Sequence, residues 1–393
     1  MSSSTPYHLK PQLLSYDLSM DKQTLRDKFL SLYGPGDILE VSAPGRINLI
    51  GEHTDYTGGY VLPAGTQNIQ CHLLFRPRHD YQVRLYDAKF DETLEFSLLE
   101  ITLDPPGSWT NYPKAVALAL QEAGYELLGF DGLLYNEVPI GAGMSSSASL
   151  EVAHAHAFIK SSNLTLPPKR IATLCQRAEN KFVGVQCGIM DQMASVLAKP
   201  HNFIFLDTHY LTYHYLQFDT TNFTILVIDT KVKRALAASE YNKRRAEAEA
   251  GIELLKKHHP EYKLLREVPP HIIDNLPLSP TLRKRLKHII EENLRVLDAE
   301  SALRESNYTK LGELLFESHE SLRHLYEVSC PELNFLVDTG KQLGCLGARL
   351  MGAGFGGATI HLLKGDPSSY IQELTHMYED KFGITPGVYR IDL

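Results

Sequence analysis

The stretch that most restricts what this chain can fold into runs from Pro139 to Leu150 and reads Pro-Ile-Gly-Ala-Gly-Met-Ser-Ser-Ser-Ala-Ser-Leu. Before it, Leu133-Leu-Tyr-Asn-Glu-Val138 has the apolar character of a strand. After it, the alanine-rich run to Lys160 has that of a helix, so the order is strand, glycine-serine loop, helix. Gly141 and Gly143 let the backbone approach a ligand closely, and Ser145, Ser146 and Ser147 bring hydroxyls to the point where the helix begins. The free N–H groups of a helix N-terminus form an anion site, so the arrangement suits a phosphate. The alternative is an ordinary glycine turn with the serines as helix caps. No lysine follows the glycines, which excludes the Gly-x-x-x-x-Gly-Lys-Ser/Thr type of phosphate loop.

A chain of 393 residues, 43% hydrophobic and 22% charged, has the make-up of a globular enzyme with room for two domains. A net charge of -8 argues against a nucleic-acid partner. The densest basic cluster, Lys231, Lys233, Arg234, Lys243, Arg244 and Arg245, sits among Glu240, Glu247 and Glu249 and reads as a solvated helix face. Cys71, Cys175, Cys187, Cys330 and Cys345 are widely spaced with no Cys-x-x-Cys pair, which argues against a disulfide framework or thiolate zinc site and for reduced thiols. Residues 1 to about 20 read as a polar leader without a signal-peptide apolar segment, and no run approaches the ~20 apolar residues of a membrane span. The expectation is a cytoplasmic protein with no membrane partner.

Two other stretches carry chemistry. Ala43 to Pro63 packs Arg46, Glu52, His53 and Asp55 between turn residues, and short polar side chains on a glycine-bent segment can meet several hydroxyls of one small ligand, a sugar being the natural candidate. Asp191 lies amid Gly188, Ile189, Met190, Met193 and Ala194, and a carboxylate in apolar company needs a partner or a task. It reads either as a buried acceptor or as a general base. Gly347 to Leu363 contains Gly352, Gly354 and Gly357 in a formal Gly-x-Gly-x-x-Gly, but it runs into a strand pattern, so a dinucleotide fingerprint is rejected in favour of a glycine turn pressed against another loop or a phosphate. Trp109 and Tyr112 precede a helix over 114–124 and read as core or as cover for an adenine ring. Further helices are expected over 21–33, 167–182, 237–257, 282–304 and 308–326, and strands over 38–43, 69–75, 81–86, 94–96, 202–206, 213–218, 223–229 and 358–363. The domain boundary is expected between Leu206 and Thr224.

In this order the three motifs resemble those of the GHMP kinase superfamily. The early box, Gly45-Arg-Ile-Asn-Leu-Ile-Gly-Glu-His-Thr-Asp-Tyr56, is most similar to that of members acting on galactose, and the likeness extends from about Asp37 to Leu393. The resemblance implies an α+β, two-domain GHMP kinase fold, with a ribosomal-protein-S5-domain-2-like N-terminal lobe (residues 1–215), a ferredoxin-like α/β C-terminal lobe (residues 216–393) and the active site in the cleft between them. It implies phosphorylation of the anomeric C1 hydroxyl of α-D-galactose by ATP with Mg²⁺, the first step of galactose metabolism, in a monomer or weak homodimer. The alternatives are an N-acetylgalactosamine kinase and a non-catalytic galactose sensor. His53-Thr-Asp-Tyr-Thr-Gly-Gly59 favours unmodified galactose, and the intact Ser145-Ser-Ser-Ala148 favours catalysis.

Carried over by position, the likeness assigns Arg46, Glu52, His53, Asp55, Gly188, Asp191 and Tyr241 to the sugar, with Asp191 and Arg46 catalytic. It assigns Gly141, Gly143, Ser145, Ser146 and Ser147 to the ATP phosphates, Trp109 and Tyr112 to the adenine, and Ser145 and Glu179 to the metal. The chain departs from the family at Met351, where a threonine is usual, and at Ala353, where many members have glycine. The first departure removes a hydroxyl from the late glycine turn.

Overall fold

The computed structural model describes residues 20–232 and 237–393. The polar leader, but for Met20, and Lys233 and Arg234 of the basic cluster lie outside the described residues. Helix α1 (Lys22–Tyr33) is capped by Asp21, whose carboxylate accepts from Thr24 N at 3.0 Å. The chain then runs through β1 (Leu39–Asn48), β2 (Tyr60–Val61), β3 (Pro63–Pro77), β4 (Gln82–Asp87), β5 (Glu92–Ser97), α2 (Asn111–Glu122) and β6 (Phe130–Asn136). Helices α3 (Ser146–Ser161), α4 (Pro168–Ala178) and α5 (Met190–Leu197) follow, then β7 (Asn202–Asp207), β8 (Thr212–Gln217) and β9 (Phe223–Asp229). The remainder is α6 (Ala237–His258), α7 (Pro280–Arg304), α8 (Tyr308–Ser321), α9 (Pro331–Gln342), β10 (Gly347–Met351), β11 (Ala358–Lys364), α10 (Ser368–Phe382) and β12 (Gly387–Ile391).

The first sheet has the order β1-β3-β6-β4-β5, with β4 and β6 its parallel pair. Its apolar face is covered by α2, α3 and α4 through residues such as Phe75, Phe130, Leu120 and Phe158. A second sheet, β10-β11-β9-β12, is antiparallel throughout. Numbered by appearance its strands lie 2-3-1-4, with helices between the first and second strands and between the third and fourth, which is the ferredoxin-like order. A three-stranded sheet, β2-β7-β8, sits beside them. One apolar cluster draws on both halves of the chain, joining Ile47, Leu49 and Phe203 to Val227, Val296, Leu311 and Ile360.

Several elements differ from expectation. Strand β1 does not stop at Ala43: after a register shift between Pro44 and Arg46 it continues to Asn48, pairing with Ala64 and Pro63, so the first half of the polar box is sheet. The helix expected over 167–182 ends at Ala178 and widens into a π-helical turn, Glu179–Val183, closed by Gly184 at φ 89°. The helix expected over 308–326 does the same at Leu322–Tyr326. Such widened turns are frequent at functional sites. Arg244 does not lie on a solvated face: it is buried and donates from Nε to Tyr326 O at 3.0 Å and from Nη2 to Glu327 O at 3.2 Å. Helices α5, α9 and α10 and strands β10 and β12 had not been read from the sequence.

Candidate active site

The loop from β6 to α3 is bent by Gly141 and Gly143, at φ 85° and 67°, and Ser145 also takes a left-handed backbone at φ 57°. Ser145 occupies the N-cap position of α3, yet no side chain caps the helix. The capping alternative therefore fails at Ser145: its hydroxyl donates to Asp191 Oδ2 at 2.5 Å, and the helix's first N–H groups are left for a ligand. Ser146 Oγ accepts from Asn136 Nδ2 at 3.1 Å, tying the loop to the end of β6. The loop forms one wall of a cavity of 780 Å³ that Trp109, Tyr112, Lys89 and Phe90 also line.

Asp191 lies in the first turn of α5, where the helix dipole favours a negative charge. Arg46 Nε donates to Asp191 Oδ1 at 2.8 Å, and Arg46 Nη1 also donates to Gly143 O. The Arg46 side chain is 6% exposed and that of Asp191 25%, so the cation is fixed while the carboxylate stays reachable. A second cavity, of 410 Å³, is lined by Glu52, His53, Asp55, Gly188 and Tyr241. Arg46, Ser147 and Asp191 line both cavities, so the two meet at the Arg46–Asp191 pair.

The polar box is held from outside. Glu52 Oε1 accepts from Gly352 N at 2.9 Å and from Arg349 Nη2 at 3.2 Å, and Arg349 Nε donates to Leu49 O at 2.7 Å. Gly51 N donates to Glu292 Oε1 at 3.0 Å. Burial, with His288 nearby, pushes the His53 pKa down to about 3, so the imidazole is neutral. Its Nε2 lies 3.2 Å from Ala353 O, an acceptor, and therefore carries the proton. Nδ1 then accepts from Tyr56 OH at 3.0 Å, and Tyr326 OH donates to Tyr56 OH at 2.6 Å. Asp55 has its pKa pushed up to about 7, first by burial and then by Asp191 and Glu52. Gly188 packs so tightly on Asp55 that a Cβ there would fall 1.7 Å from Asp55 Oδ2. Tyr241, on α6, closes the far side with its ring 5.8 Å from that of His53.

The late glycine turn, between β10 and β11, presses on the serine loop: a Cβ on Gly143 would lie 3.0 Å from Met351 O, and one on Gly352 would lie 3.5 Å from Gly143 Cα. Met351 is buried and presents its backbone to the loop, and Ala353 engages His53 through its carbonyl. Backbone oxygens make these two contacts, and any residue at 351 or 353 can supply them. Glu179 sits on the widened turn, buried, accepting from Gln192 Nε2 at 2.8 Å and Cys187 Sγ at 3.1 Å. It lines the smaller cavity beside Ser147, whereas Ser145 lines the larger one. Among the described residues no group of three His, Cys, Asp or Glu is arranged to hold a metal by itself. Mg²⁺ does not require one: it takes hard oxygen donors, commonly one or two carboxylates with phosphate and water. A buried carboxylate and serine hydroxyls at the cavity junction fit that chemistry.

Sequence reading had passed over Arg349, Glu292, Tyr326, Glu151 and Gln192. Arg349 did leave a signal, a lone cation within Gly347-Ala-Arg-Leu-Met351, a strand buried at every position. The others lie in helical or turn patterns where nothing local marks them.

Three family models match the chain: the GHMP kinases N terminal domain over residues 111–199, the GHMP kinases C terminal domain over 299–380, and the galactokinase galactose-binding signature over 27–68. A mevalonate kinase from Methanococcus jannaschii, 19% identical, shares the fold at a TM-score of 0.64 over 91% of this chain and 99% of its own. The fold and the two domain models are those of a GHMP kinase. A galactokinase from Roseiflexus is 40% identical, covering 94% of this chain and 95% of its own, and one from Thermotoga maritima is 42% identical, covering 88% and 95%. The structure of Lactococcus lactis galactokinase complexed with galactose is 37% identical, with a TM-score of 0.90 over 94% of this chain and 97% of that one. The chain belongs to the galactokinase family.

Proposed function

We propose that this chain transfers the γ-phosphoryl group of ATP to the anomeric C1 hydroxyl of α-D-galactose, giving galactose 1-phosphate. The observation that carries the reading is the Asp191 carboxylate, held between Arg46 and Ser145 where a nucleotide-sized cavity meets a hexose-sized one. Trp109 and Tyr112 flank the adenine, and Gly141, Gly143, Ser145, Ser146 and Ser147 surround the phosphates. Arg46, Glu52, His53, Asp55, Gly188, Asp191 and Tyr241 surround the sugar. Ser145 and Glu179 would hold Mg²⁺, which when bound supplies positive charge to the phosphate oxygens.

Catalysis of this kind is mostly positioning and charge compensation. Asp191 accepts the C1 hydroxyl proton or steadies its loss. Arg46 is paired with Asp191 and offsets negative charge as it develops. All of these residues come from one chain, so a monomer or weak homodimer suffices. The free thiols, four of the five buried, suit the cytoplasm, and no described helix is long and apolar enough to cross a membrane.

ADP release measured over a panel of sugars, including N-acetylgalactosamine, with Asp191→Ala beside the unaltered protein, tests the reading. Galactose should be preferred, and the variant should lose turnover by about 10²–10⁴-fold while still binding both substrates. Near-normal turnover by Asp191→Ala would remove the assigned role, and no sugar-dependent ADP release at all would leave a binding protein.

A further inference from the structure

Behind the serine loop, three buried polar side chains from three elements meet: Glu151 on α3, Gln192 on α5 and Glu179 on the widened turn after α4. Gln192 Nε2 donates to Glu151 Oε2 at 3.1 Å and to Glu179 Oε2 at 2.8 Å, so the two hydrogens of one amide go to two different carboxyl groups. Two atoms of the cluster are left over. Glu151 Oε1 and Gln192 Oε1 are both fully buried, and neither finds a hydrogen-bond donor. Among the described residues Glu151 has no ion pair, and it is completely shielded from solvent. An ionised carboxylate in that setting is strongly disfavoured. A proton on Glu151 answers both leftovers at once. An Oε1–H on Glu151 would donate to Gln192 Oε1 while Gln192 Nε2–H donates to Glu151 Oε2, joining acid and amide edge to edge by two parallel hydrogen bonds.

We propose that Glu151 is a positioning residue: as the neutral acid it locks the Gln192 amide edge to edge, so that the amide's second N–H holds the Glu179 carboxylate at the cavity junction for a divalent cation. Burial, and then the neighbouring Glu179 charge, push the Glu151 pKa well above the ordinary carboxylate range, in the same direction. Gln192 follows Asp191 on α5, and α3 begins at the serine loop, so the pair lies directly behind the cavity wall. The cation part rests on the phosphotransfer reading, whereas the acid–amide pair stands without it.

Two substitutions separate the possibilities. Glu151→Gln keeps the neutral donor–acceptor pattern, and Glu151→Leu keeps bulk without polarity. Binding of a non-hydrolysable ATP analogue is measured by calorimetry with and without Mg²⁺, and galactose binding is measured beside it. The gain in nucleotide affinity conferred by Mg²⁺ should be largely kept in Glu151→Gln and cut by about 10–100-fold in Glu151→Leu, the usual effect of losing a partner that orients a metal ligand. Galactose affinity should hold in both. Infrared difference spectra of the unaltered protein against Glu151→Gln should show a buried protonated carboxyl that the variant lacks. If Glu151→Leu does not fold, Gln192→Leu cuts the same link. A Glu151→Gln variant as damaged as the leucine variant, no protonated-carboxyl band, or an unchanged Mg²⁺ gain in the leucine variant would each overturn the proposal. A chain that binds nucleotide but transfers nothing would still show the band, so failure of the kinase reading registers separately.

Discussion

Asp55 and Gly188 are 133 positions apart in sequence, yet the absence of a side chain at Gly188 is what lets the Asp55 carboxylate sit where it does. That buried position, with Asp191 and Glu52 near, pushes the Asp55 pKa up to about 7, above its ordinary value. The group's contribution to stability is therefore fully present below its ordinary value of 3.8, declines as pH rises from there to about 7, and is lost above that. Sugar hydroxyls that donate to the carboxylate favour its charged form and lower that pKa. Galactose binding near pH 6 should then release protons, and affinity should climb with pH and level off above about 7. Calorimetry in buffers of different ionisation enthalpy measures the release, and Asp55→Asn should abolish it. Binding without proton release in the unaltered protein would detach Asp55 from the sugar. The Asp55 side chain was legible in the motif as a polar group on a bent segment. Its protonation behaviour was not, because desolvation depends on what packs around it.

At the scale of elements, the turn between β10 and β11 is the piece that other elements converge on. Gly354 has φ 82°, and a Cβ there would fall 2.3 Å from Val328 O, just past the widened turn after α8. Phe355 N donates to that same oxygen at 2.7 Å, and Arg244 from α6 lies over the Phe355 ring at 5.7 Å. The turn in its own right supports Glu52 and His53 through Gly352 N and Ala353 O. Gly354→Ala should thus cost about 1–3 kcal/mol of stability from backbone strain and lower kcat/KM for both substrates in a protein that still folds. Thermal melting and steady-state kinetics check this, and a variant that melts and turns over normally would show that the close approach does not matter. The glycine turn could be read from its spacing and its run into a strand. The widened turns at Glu179 and Tyr326 could not, since one extra residue per turn hardly disturbs an apolar periodicity that continues on both sides.

Across the whole molecule, the halves are joined by more than a cleft. The C-terminal strand docks beside β3, with Gln67 N donating to Asp392 O at 2.7 Å and Asp392 N to Asn68 Oδ1 at 3.1 Å. A single apolar cluster spans the proposed boundary, and the Arg349 guanidinium is completely buried against β1 and Glu52. Residues 1–215 and 216–393 made as separate chains should each fail to fold alone, because each would expose half of that cluster and one would strand the Arg349 charge. Circular dichroism and denaturant melts of the two pieces, alone and mixed, decide it. Cooperative unfolding by either piece alone would make the halves independent domains. By itself the sequence determined what depends on near neighbours: the strand–loop–helix unit, the glycines at left-handed positions, and the polar box with its likeness to a known family. Only the tertiary structure decided that Arg46 and Asp191, 145 residues apart, form one ion pair, which nitrogen of His53 carries the proton, and that Ser145 serves a carboxylate instead of a helix end. Short-range backbone preferences are written residue by residue. Distances, desolvation and shared protons exist only once distant segments are packed together.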